Sequence, residues 1–170
     1  MNTVKNSASF SIKIKRIKEF YFILNEAISE RDKPVTVQFQ HITRFFGDTN
    51  LIDLTLRVYY THDPDIPAKT ILVDIHVQNV FEIDNLNQFL VNTEFVLPQN
   101  LMIMMVGLSI SHTRALVAKN ISGTIYQDNI IPVADPAEVA KVFYPNIFLE
   151  QENHGIIKDS IMNTRKKKAR

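Results

Sequence analysis

Cysteine is absent from this chain of 170 residues. That excludes disulfides, a thiol nucleophile and a thiolate zinc site, and it suits a reducing cytoplasm. Glycine is scarce, with 4 residues, and none belongs to a glycine-rich phosphate loop. The longest uncharged apolar run, Leu101 to Ile110, is about half of the ~20 residues that a membrane span needs. The opening residues, MNTVKNSASFSIKIKR, lack the apolar core of a secretion signal. The expectation is a cytoplasmic protein that is not inserted in a membrane. Neither His-Glu-x-x-His nor Gly-x-Ser-x-Gly occurs. The histidines, at 41, 62, 76, 112 and 154, have no metal-ligand spacing. No catalytic residue, metal or cofactor is expected, and the chain does not read as an enzyme.

Apolar residues make up 45% of the chain and charged residues 22%, which rules out intrinsic disorder. A chain of this size hides roughly 70% of its unfolded surface, so one domain with a sizeable core is expected. The net charge of +1 conceals an asymmetry, because residues 158–170 (KDSIMNTRKKKAR) carry +5 and the rest −4. The division expected is a domain over residues 1–150 and a basic, flexible tail over 151–170. The body shows no basic, aromatic-studded surface, so nucleic acid is not expected as a ligand.

The first 85 residues read as four strands. Phe10, Ile12 and Ile14 alternate with Ser11, Lys13 and Lys15. The run Phe20 to Leu24 is contiguous, which marks cover on both faces or a bulge. Val35, Val37 and Phe39 alternate in a second strand that runs towards Phe46. Gly47-Asp48-Thr49-Asn50 is a reversal. In the third strand Ile52, Leu54, Leu56 and Val58 share a face, and Asp53, Thr55 and Arg57 form a wet one. In the fourth, Ile71, Val73, Ile75 and Val77 lie opposite Leu72, Asp74, His76 and Gln78. Short polar turns link these strands into an antiparallel meander whose apolar face must be covered.

The cover follows in sequence. Asp84 to Thr93 suggests a short helix. Pro98 starts a long one over Leu101 to Lys119, whose first half is apolar all round and therefore wants two partners, the sheet and a second subunit. Gly123 sits where a helix stop belongs. Asp135-Pro136 is an N-cap and first-turn pair for a last helix reaching about Tyr144, with Val139, Val142 and Phe143 on one face. Beyond Pro145 the pattern fades. Three methionines, 102, 104 and 105, crowd the long helix and suit a core, an interface or an adaptable binding surface.

The succession FSIKIKRI, LIDLTLRVYYTHDPDIPAKTILVDIHVQNVFEI and IIPVADPAEVAKVF resembles the SecB-type protein-export chaperones, and SISHTRALVAKNISGT a divergent SecB-like branch. The resemblance covers about residues 10–145 and lies in the order of segments. It implies an α+β fold, a four-stranded antiparallel sheet covered on one face by a long helix and a shorter C-terminal helix. It also implies a homo-oligomer, a dimer of dimers. Such proteins hold unfolded clients in apolar grooves without ATP or cofactor and pass them to the SecA motor. By resemblance, the groove-lining positions are Val35, Val37 and Phe39 in the second strand and Leu116 and Ile121 on the long helix. Val139, Val142 and Phe143 stand for the wall on the last helix. Asp74 matches an acidic SecA-contact position, whereas Tyr21 and Asn25 occupy two others and are not acidic. Lys33-Pro34 replaces the family's aromatic before the second strand.

Three functions therefore stand side by side. One is a general ATP-independent holdase. Another is a dedicated chaperone for one partner, such as an antitoxin. The third is an assembly protein that uses the fold only to oligomerise.

Overall fold

The computed structural model describes residues 10–30, 33–65 and 71–148. The expected basic tail, 151–170, lies outside the described residues. The strands are β1 (Ile12–Leu24), β2 (Thr36–Phe46), β3 (Leu51–Thr61) and β4 (Ile71–Ile83). They form one antiparallel sheet in the order β1-β4-β3-β2. Hairpins link β2, β3 and β4 as a meander. β1 departs from the expected continuation, because it lies beside β4 at the far edge and not beside β2. This is a Greek-key arrangement, in which the first strand meets the last across the sheet. The register of β1 slips at Lys15 and again at Phe20. The contiguous run Phe20 to Leu24 is thus a bulge on an edge strand rather than a strand covered on both faces, and Phe20 stays 52% exposed. Bulges of this kind also blunt an edge against unwanted pairing.

The alternation builds the core directly. Ile52, Leu54, Leu56 and Val58 of β3 and Val73, Ile75, Val77 and Phe81 of β4 are fully enclosed on one face. A further slip in pairing, between Tyr60 and Thr61, falls at Leu72. Leu72 joins the same apolar cluster as Val73 and Ile75, although its period-two position assigns it to the opposite face. Asp53 and Thr55 were expected to be wet. They are buried instead, because Asp53 accepts hydrogen bonds from Gln78 (2.6 Å) and Thr55 (3.1 Å) on the sheet surface.

Asp84 to Thr93 does not form an α-helix. A 3-10 turn over Leu86–Phe89 leads into a hairpin of β5 (Leu90–Val91) and β6 (Glu94–Phe95). Positive φ angles at Asn85, Asn92 and Thr93 break any helical run there.

The sheet's apolar face is covered by α1 (Gln99–Ile121), which begins after Pro98 as its sequence suggests. Leu101, Met102, Met105, Val106 and Ile110 pack on Ile52, Leu54, Leu56 and Phe81, while Val117 and Ile121 pack near Val58 and Ile75. The helix has 23 residues and is long and apolar enough to cross a membrane by composition. A strict apolar-run count misses this, because Ser111 and Thr113 end the run after Ile110 without adding charge. Here α1 is the core helix of the sheet. Gly123, at φ 78°, supplies the left-handed residue that ends this segment.

α2 (Pro136–Phe143) starts as expected, with the Asp135 carboxylate accepting from the Ala137 amide at 2.8 Å. It crosses α1 at Gly107, where a Cβ would stand 3.1 Å from Pro136. Past Pro145 the chain does not leave the domain at once, since Phe148 is buried and Ile147 packs on the core.

One buried group is left over. The Ser109 hydroxyl is fully enclosed and finds no hydrogen-bond partner among the described residues. Ser109→Ala is expected to raise stability by about 1 kcal/mol by removing an unsatisfied buried polar group. Urea denaturation checks this, with an unchanged m-value.

Candidate functional site

Alternation in β2 puts Val37, Phe39, His41, Thr43 and Phe45 on the side of the helices, paired with Tyr60, Val58, Leu56, Leu54 and Ile52 of β3. The two halves of this row have different fates. The half nearer Phe45 is roofed by α2 and its exit. His41 stacks on Phe143 with ring centroids 4.2 Å apart and an interplanar angle of 17°. The Tyr144 hydroxyl and Thr43 Oγ1 share a 2.6 Å hydrogen bond, and Phe45 stacks on Phe95 at 5.2 Å. Burial pushes the Tyr144 phenol up to about 12.

The half nearer Val35 is only partly covered. Val35, Val37 and Phe39 are each half-buried and pack, with Leu116 of α1, on the cluster of Val58, Tyr60, Ile75 and Val117. The segment after α1 forms a rim fixed by polar contacts. The Tyr60 hydroxyl donates to the Asn129 carbonyl, and Arg114 donates to the carbonyls of Ile131 (3.0 Å) and Pro132 (2.8 Å). Ile131 points into the core, while Val133 is 89% exposed. At the Val35 end a depression of 610 Å³ continues the trough, lined by Pro34, Val35, Ile125 and Tyr126 with Glu30, Lys33 and His62.

The expected groove residues therefore separate. Val35, Val37, Phe39 and Leu116 come together in the open half. Val139 and Phe143 pack on the roofed half, against the main core. Val142, expected beside them, is 78% exposed: it lies about 100° round the helix from Phe143, and α2 turns its Val139–Phe143 edge and Ala140 inward, leaving Val142 on the outer side. Ile121 is fully enclosed and supports the groove floor from beneath rather than lining it. The aromatic partner of α2, His41, was not singled out from the sequence, although its period-two place after Phe39 was the available signal.

Asp74 does not present a free carboxylate. It is 4% exposed and clamped by Arg57, whose Nε and Nη2 donate to it at 3.0 and 2.7 Å. His76 Nε2 lies 3.3 Å from the same group. Arg57 also donates to Gln40 and lies over the Tyr59 ring. Arg57 lies on the polar face that alternation assigns to it, and its partner Asp74 sits on the neighbouring strand β4, which alternation does not reveal.

Burial holds both His41 and His112 below the ordinary value of 6.5. His112 is tied through Nδ1 to Asn79 Oδ1 at 2.8 Å beneath α1. A depressed imidazole binds protons less readily in the folded state than in the unfolded chain. The stability it supports is fully present above the unfolded value and is lost as pH falls from there through the folded values. The urea midpoint is therefore expected to fall between pH 7.5 and pH 5.5. His41→Phe, which keeps the stack on Phe143, should flatten that slope.

Among the described residues no cluster of His, Asp and Glu could hold a metal ion. What the arrangement offers is apolar area along an edge strand, whose outward backbone N–H and C=O groups are outside the sheet's ladder.

No family model matches the chain, and no curated protein matches it. Among solved structures it is similar to the Mycobacterium tuberculosis Rv1957 SecB-like chaperone in complex with a ChAD peptide from the Rv1956 HigA1 antitoxin. The TM-score is 0.42 and the identity 8%, over 72% of this chain and 84% of that one.

Proposed function

We propose that this protein is an ATP-independent chaperone that holds non-native polypeptide in the trough between β2 and the C-terminal half of α1. The observation that carries this reading is the half-covered row Val35, Val37 and Phe39, facing Leu116 beside an open strand edge. An extended, apolar client segment would bury its side chains on that row, at about 25 cal/mol per Å² of apolar area removed from water. Backbone hydrogen bonds along β2 would add affinity that is independent of client sequence. Binding the unfolded chain and not the folded one keeps a client from aggregating by mass action, with no nucleotide needed.

The segments that resemble SecB-type chaperones support the same reading. The outer side of α1, where Met104 is 42% exposed and Ile103 and Leu108 are half-buried, suits packing against further subunits in a dimer of dimers. A cysteine-free chain suits the cytoplasm. The acidic surface that hand-over to SecA would use is not formed by these residues, because Asp74 is closed off by Arg57 and Tyr21 and Asn25 are not carboxylates.

The test is suppression of aggregation. A chemically denatured, unrelated client is diluted into buffer with and without the purified protein, in the absence of ATP. Light scattering should fall as the protein is added. Protection of no client at several-fold excess would overturn the general-holdase reading. Protection of one partner and no other would assign the narrower role of a dedicated chaperone, such as one for an antitoxin.

A further inference from the structure

The sheet face turned away from α1 and α2 carries a second, independent surface. Register places Arg16 opposite Val80, Lys18 opposite Gln78 and Tyr21 opposite His76, all on this outer face. Arg16 and Lys18 are exposed and pair with no carboxylate among the described residues. The acids that share the face are already engaged. Asp74 is held by Arg57, Asp53 by Gln78 and Thr55, and Glu82 by Lys15 at 3.0 Å. The charge left uncompensated here is positive. Next to it the bulge at Phe20 turns two successive aromatic rings to one side. Both meet His76, at centroid distances of 5.5 and 4.7 Å. Phe20, Tyr21 and Ile23 are 52%, 40% and 42% exposed. An edge strand thus presents cations at one end and an apolar, aromatic step at the other.

We infer that this face docks an acidic polypeptide segment that carries apolar side chains. Its carboxylates would pair with Arg16 and Lys18, and its apolar groups would cover Phe20, Tyr21 and Ile23. Charge complementarity selects this occupant. The chain's own tail is basic and would be repelled. A nucleic acid needs several phosphate contacts for useful affinity, and two free cations beside the carboxylates of Glu82 and Asp84 do not supply them. Because the client trough lies on the opposite face, a client held there and an acidic partner held here could be bound at once.

The test uses the full chain and a fluorescent 16-residue peptide of alternating Glu and Leu, read by anisotropy at low salt. A Lys/Leu peptide of the same length and a single-stranded oligonucleotide are run in parallel. With the trough saturated beforehand by an unlabelled unfolded client of net positive charge, the Glu/Leu peptide should still bind, and the other two should not. Arg16→Glu with Lys18→Glu should weaken it by about tenfold or more, with the effect fading as salt rises. Phe20→Ala should weaken it at all salt concentrations. Thermal melting of each variant, and its suppression of client aggregation, should stay as in the parent. Equal binding of both peptides, tighter binding of the oligonucleotide, or full affinity in the Arg16/Lys18 variant would each overturn the inference without touching the holdase reading.

Discussion

Arg57→Met is expected to destabilise the fold by about 3 kcal/mol, the lower end of the range for breaking a buried ion pair. The lower end applies because Arg57 is itself 30% exposed on its side chain, whereas Asp74 is 5%. Removing the guanidinium leaves a carboxylate enclosed in the middle of the sheet with His76 as its remaining neighbour. The double variant Arg57→Met/Asp74→Leu removes both charges and should recover most of the loss. Urea midpoints of the two single variants and the double variant form a cycle that isolates the pair. If Arg57→Met costs no more than an exposed charge, under about 1 kcal/mol, the clamp on Asp74 is not a structural element of this sheet.

The larger functional effect is expected in the trough. Phe39→Asp or Leu116→Lys puts a charge where a client's apolar groups would be buried. Losing the burial of one large apolar side chain is worth about 1.5–3 kcal/mol, or roughly ten- to a hundredfold in affinity. Client binding measured by anisotropy should fall by that much in either variant. Ile42→Asp, on the outer face of the same strand and 55% exposed, should leave client binding unchanged. Both positions in the trough are half-buried, so melting temperatures accompany each measurement to separate lost binding from lost fold.

Much of this was legible in the sequence. The alternation of β2, β3 and β4 fixed which side chains face the helices. Pro98 and Gly123 marked the two ends of α1, and Asp135-Pro136 the start of α2. Other features depend on contacts between distant segments, which periodicity does not encode. Alternation assigns faces but not neighbours, so β1 could not be placed beside β4. Asp53, Thr55 and Arg57 read as a wet face because the groups that close it, Gln78 on Asp53 and Asp74 on Arg57, reach them from the neighbouring strand β4. The bulge at Phe20 and the slip at Leu72 each defeat a strict count of two. The turn after β4 reads as a helix because Asn85, Asn92 and Thr93 give no signal of their positive φ angles. The candidate trough was half legible: Val35, Val37 and Phe39 follow from alternation, but the stack of His41 on Phe143 that divides open from roofed requires α2 to lie across β2.

The most direct measurement is methyl NMR of the full chain, labelled at Ile, Leu and Val, during titration with an unfolded client of net positive charge. Such a client avoids the basic outer face. The account predicts shift changes centred on Val35, Val37 and Leu116 and fading towards Val139, with Ile23 and Ile42 unmoved. Changes confined to Ile23 and Ile42, or none anywhere while the client binds, would contradict it.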